Sequence, residues 1–262
     1  MTDTFEIGRT LSRAWQIALR SLPSAGLFLL IATVVSKLLG MAAMFALRSQ
    51  FQPTATADPL AALKVFGSVS YLAITLVSLA LAAFTYAGTL YGLVQSAPGR
   101  AASVTDCVSV GLAKLLPILG FIILWYIAII AGMLALVVPG IILIVMWSAA
   151  LPVLVNEDTG VIGAFGRSRA LTKGSRGRIF LMLLLCLIVV YGGLFGLLGL
   201  ILGTNLIGMG PAIAVNPLLS LAQIPFSWAV TLAINALLAS IYLETLAIKG
   251  GGPAGHLDEV FA

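Results

Sequence analysis

Residues 167–203 read RSRALTKGSRGRIFLMLLLCLIVVYGGLFGLLGLILG: five cations within twelve residues, then 25 residues without a charge. About 20 apolar residues are enough for a helix to cross a hydrocarbon core ~30 Å thick. Unpaired backbone groups are costly in lipid, so a spanning segment is a helix or a strand of a closed barrel. This run is continuously apolar and does not alternate, which selects the helix. The cations before it mark its cytoplasmic end, because lysine and arginine collect in cytoplasmic connections.

The rest of the chain repeats that pattern. Of 262 residues, 61% are hydrophobic and 9% charged, against about 25% charged in a soluble domain. The expected fold is all-α, a polytopic transmembrane bundle with spans near 24–47, 65–94, 118–138, 141–155, 179–203 and 217–247. Residues 5–22 carry Arg9, Arg13, Gln16 and Arg20 on one helical face and apolar residues on another, the pattern of an interfacial helix lying along the membrane surface. Pro23 opens the first span. Asp58 and Pro59 read as a cap and first-turn pair for the helix carrying Lys64, and Asn216 and Pro217 as another for the last span, which Pro225 is expected to kink. Pro139 and Gly140 read as the turn between the third and fourth spans. The fourth run is short and contains Pro152, so it reads as a kinked span, a thinned region or a re-entrant segment.

Three times, near 5–30, 104–124 and 161–185, an amphipathic or basic segment feeds an odd-numbered span. The six spans therefore read as three hairpins, each preceded by a cytoplasmic surface helix. Residues 1–250 form one membrane domain and 251–262 a flexible cytoplasmic tail. With both termini in the cytoplasm, 11 of the 14 basic residues fall on cytoplasmic segments. The setting is the bacterial inner membrane, and the N-terminus lacks the features of a cleaved signal.

The stretch from Pro139-Gly140 through Trp147 and Pro152 to Arg167-Ser168 and Leu171-Thr172-Lys173-Gly174 resembles the YciC-like bacterial membrane proteins. It also resembles the membrane domain found beside glycerophosphoryl diester phosphodiesterases, here without the phosphodiesterase. The resemblance covers residues 138–183 and implies a six-span module, not an activity.

Several groups are candidates for function. Tyr71, Thr75, Ser78, Ala82, Thr85, Thr89 and Gly92 form a stripe of small and hydroxylated residues on the second span, either a packing seam or the lining of a polar groove. Ser220, Gln223, Ser227, Thr231 and Asn235 descend one face of the last span and need partners there. Lys37 lies within the first span, either as a functional cation or as a side chain reaching back to headgroups. Lys37, Thr75, Ser78, Thr85, Thr89, Gln223 and Asn235 thus make up a possible intramembrane groove. Glu244 is expected to reach water or a nearby arginine.

Arg167, Arg169, Lys173, Arg176 and Arg178 are candidate contacts for lipid headgroups, with Arg169, Lys173 and Arg176 expected on one face; positive-inside orientation alone also accounts for them. Gly192, Gly196, Gly199 and Gly203 share a face with GxxxG spacing, suited to helix packing within the chain or between copies. The single histidine, His256, lies in the tail, and neither cysteine, Cys107 or Cys186, suggests a disulfide. No catalytic, metal or cofactor motif appears. The sequence therefore reads as a non-enzymatic membrane protein handling lipid or a small solute, with a self-associating or partner-binding scaffold as the alternative. Its partners are membrane phospholipids, itself or another membrane protein, and not nucleic acid.

Overall fold

The computed structural model describes residues 5–47, 68–99, 102–205 and 217–249, and all regular structure among them is helical. Helix α1 (Ile7–Arg20) leads through one π-helical turn, Leu22–Gly26, into α2 (Leu27–Leu47). Then follow α3 (Val69–Ser96), α4 (Val104–Ala113), α5 (Leu115–Ala135), α6 (Val137–Met146), α7 (Ala150–Asn156), α8 (Gly160–Thr172), α9 (Arg176–Asn205) and α10 (Pro217–Ile248). Five segments among the described residues are long and apolar enough to cross a membrane: Leu22–Ala43, Val69–Ser96, Leu115–Leu134, Val137–Asn156 and Gln223–Ile248. That is the signature of a multi-pass membrane protein. Helix α9, on the fifth expected span, is helical throughout its 30 residues. The expected caps at Asp58-Pro59 and at Asn216, the residues Arg48 and Lys64, and the tail with His256 lie outside the described residues.

Helix α10 is the axis of the bundle. From Asn235 to Leu246 every residue except Leu238 is buried, so this half of the helix is enclosed on all sides. It packs against α1, α2 and α3, with smaller contacts to α7, α8 and α9. Lipid supplies no hydrophobic drive between helices, so close approach depends on small residues. Gly88 and Gly92 of α3 provide it: a Cβ on Gly88 would lie 2.5 Å from the Cys107 carbonyl, and one on Gly92 2.7 Å from the Ala25 Cβ. The helix continues unbroken through Pro225.

The connection between α5 and α6 differs from the expected Pro139-Gly140 turn. The break falls at Leu136, whose backbone is extended, and Pro139 sits in the first turn of α6, where its missing N–H is not needed. Gly140 serves the packing of this hairpin, since a Cβ there would stand 2.7 Å from Met133. The fourth run breaks at Trp147–Ala149 and not at Pro152, which lies within α7. The carbonyl of Met146 at that break accepts a hydrogen bond from Ser168 Oγ at 2.9 Å, and Thr172 Oγ1 lies 3.2 Å from it with its one proton shared between Met146 O and Ser168 O, the latter at 2.9 Å. Two residues of the Arg167–Gly174 stretch thereby hold the interruption in place.

Candidate functional site

Helix α1 is built with three faces. Thr10, Ala14, Ile17 and Ala18 are buried, and α1 packs chiefly on α10. On one flank Arg9 Nε donates to Glu244 Oε1 at 2.7 Å and Arg13 Nη1 to Glu244 Oε2 at 3.0 Å. The Glu244 side chain is 3% exposed, so this ion triad, with its carboxylate buried, is the main polar tie between α1 and α10. The opposite flank presents Leu11, Trp15 and Leu19, and Leu22 continues it at the start of the π-helical turn, all four exposed.

Those four residues form one wall of a cleft of about 490 Å³. The facing wall is α9, through Leu185, Cys186, Val189 and Val190, and the floor is α10, through Trp228, Ala229, Leu232 and Ala233. Every lining side chain is apolar or nearly so. Two of them carry an indole N–H: Trp228 Nε1 donates to the Gly26 carbonyl at 2.9 Å, and Trp15 is exposed on the wall of α1. The π-helical turn brings that carbonyl within reach, its own ladder closing through Gly26 N to Ser21 O at 2.9 Å. At one end α9 is tied to α1 by Arg178 Nη1, which donates to the Phe5 carbonyl at 2.7 Å. Arg178 lies seven and eleven residues before Leu185 and Val189, on the same helical face.

The residues expected to form a polar groove do not line this cleft. Lys37 Nζ and Gln223 Oε1 come within 3.5 Å, joining α2 to α10. Thr75 and Ser78 are exposed on α3. Thr75 and Thr85 donate back to their own helix, to Tyr71 O at 2.8 Å and Leu81 O at 2.7 Å, as hydroxyls in helices commonly do. Thr89 and Asn235 are fully buried; Asn235 Nδ2 donates to Thr231 O at 2.8 Å, while Asn235 Oδ1 and Thr89 Oγ1 have no hydrogen-bond partner.

The basic stretch divides into two helices with a turn at Lys173–Ser175, where Gly174 takes φ +93°. Arg169, Lys173 and Arg176 therefore share no helix face, contrary to expectation, because the turn redirects the chain between them. Arg167 Nε pairs with Glu157 Oε2 at 3.1 Å, and Glu157 Oε1 accepts from Tyr242 Oη at 3.1 Å. Arg176 Nη2 donates to the Arg169 carbonyl at 3.3 Å, while its Nε is buried without a partner. Lys114 pairs with Asp158 at 3.0 Å. Arg169 and Lys173 are exposed. On α9, Gly192 is exposed, and nothing within 4 Å would meet a Cβ there. The surroundings of Gly196, Gly199 and Gly203 lie outside the described side chains.

Sequence reading missed the cleft, the Trp228–Gly26 bond and the Tyr242–Glu157 pair. One signal pointed to the cleft: Leu11, Trp15, Leu19 and Leu22 recur every three to four residues on the side of α1 away from its arginines. At the start of α4 Ser103 and Asp106 form a capping box, and hydrogen bonds from the Ser103 side chain and backbone N–H hold the Asp106 carboxyl below its usual range. Burial, with the nearby Asp106 charge, pushes the Cys107 thiol up to about 11. No protein-family model, curated protein or solved structure matches the chain.

Proposed function

We propose that this is a non-enzymatic protein of the bacterial inner membrane that binds a membrane lipid, holding an acyl chain in the cleft between α1, α9 and α10. On this reading α9 is a sixth span, both termini face the cytoplasm, and the likeness to the YciC-like membrane modules reflects common architecture. The observation that carries it is the cleft itself. Its volume of about 490 Å³ falls in the range of ligand sites. Its lining is apolar and open at the side, in a chain whose surroundings are hydrocarbon, so a polar solute gains nothing there.

The test is the lipid retained by the protein in detergent, read by native mass spectrometry. Wild type is expected to keep one phospholipid per chain through exhaustive washing, and Ala233→Trp, which fills the floor of the cleft, to lose it without unfolding. Equal retention by the two proteins would overturn the reading. The scaffold alternative draws on open space beside Gly192. It predicts self-association that Gly192→Leu abolishes whether or not lipid is bound.

A further inference from the structure

We infer that the lipid taken by the cleft is an anionic phospholipid, with Arg178 holding its phosphate. This rests on the acyl-chain reading above and adds the headgroup class. Arg178 is exposed and belongs to the same face of α9 as Leu185 and Val189, so a chain lying along that wall runs toward it. At that end Arg178 Nη1 donates to the carbonyl of Phe5, two residues before α1. A guanidinium carries five N–H donors in a planar fork, so that bond leaves most of them for the oxygens of a phosphate.

The arginines of α1 lie on its other face. Arg9, Arg13 and Arg20 share the flank away from the cleft, and the first two bind Glu244. Arg167 is paired with Glu157, and Arg176 is turned onto the Arg169 carbonyl. Among the described residues of α9, Arg178 is thus the cation aligned with the apolar wall. Its charge is complementary to phosphatidylglycerol, which bears one net negative charge, and not to zwitterionic phosphatidylcholine.

The experiment uses the full chain with Trp228 as its one tryptophan, the other three replaced by Phe, reconstituted in bilayers of phosphatidylcholine. Mid-chain brominated phosphatidylglycerol or brominated phosphatidylcholine is then titrated in, and quenching of Trp228 reports the chain in the cleft. Phosphatidylglycerol is expected to bind about fivefold more tightly than phosphatidylcholine, the scale of one cation acting on one anionic headgroup. That preference is expected to vanish in Arg178→Gln, which keeps an N–H for the Phe5 carbonyl, and to survive in Arg178→Lys. If both lipids quench Trp228 equally and Ala233→Phe, which fills the floor without adding a tryptophan, abolishes the quenching, the acyl-chain reading stands and the anionic preference is overturned. If quenching by both is unaffected by Ala233→Phe, the two fall together.

Discussion

Arg9 Nε lies 2.7 Å from Glu244 Oε1, joining residues 235 positions apart in sequence. Arg13 completes the triad on the second oxygen of the same carboxylate. Two half-exposed cations thus compensate one buried anion, and the asymmetry sets the expected effects. Arg13→Ala removes one charged hydrogen bond and should cost about 1.5–3 kcal/mol. Arg9→Ala with Arg13→Ala leaves the carboxylate buried and unpaired and should cost about 3–5 kcal/mol. Adding Glu244→Leu to that pair should recover most of the loss, because no buried charge then remains. Thermal unfolding in detergent micelles measures all three.

Glycine has opposite meanings on α3 and α8. Gly88→Ala drives a Cβ against the Cys107 carbonyl and the Phe28 ring. The loss should be about 1–3 kcal/mol, as for overpacked cores. Gly166 lies inside α8 with nothing within 4 Å of a new Cβ. Gly166→Ala should therefore stabilise by about 0.5–1 kcal/mol through helix propensity. The same unfolding measurement separates the signs.

The Met146 carbonyl has Ser168 as its shorter donor at 2.9 Å, and Thr172, whose one proton is shared with the Ser168 carbonyl, stands at 3.2 Å and can replace it. Ser168→Ala and Thr172→Val should each be mild, about 0.5–1.5 kcal/mol. The double variant should lose more than the sum, because only then is the carbonyl left without a hydroxyl. A double-mutant cycle reads this coupling, and simple additivity would contradict it.

Acid should weaken the start of α4. The Asp106 carboxyl is held below its ordinary range in the folded protein by its bonds with Ser103. Its folded pKa is depressed, so its contribution is fully present above the unfolded value. It is lost as pH falls through the folded one. The difference in unfolding temperature between wild type and Asp106→Asn should accordingly be larger at pH 6 than at pH 3. The Cys107 thiol, raised to about 11, should resist alkylation at pH 8 until the protein unfolds.

Much of the architecture could be read from apolar run length alone. The helices over Val69–Ser96 and Leu115–Leu134 and the amphipathic α1 follow from periodicity and composition. Local breaks were harder. Pro139-Gly140 is a strong turn signal, yet the turn falls at Leu136, because proline also suits a first helical turn and Gly140 is needed for contact with Met133. Among the site residues, the hydroxylated stripe was visible as spacing, but spacing does not say whether Thr85 bonds a neighbouring helix or its own Leu81 carbonyl. The cleft was hidden for a related reason. Its walls come from α1, α9 and α10, far apart in sequence, and each looks like any other lipid-facing surface until the three are placed together.

The central claim, an acyl chain between α1 and α9, is tested most directly by a density map of the protein in phospholipid nanodiscs. One continuous elongated density bounded by Trp15, Cys186 and Ala233 is the expected result. A cleft closed by direct contact of Trp15 with the Cys186–Val190 segment, with no density between them, would contradict it.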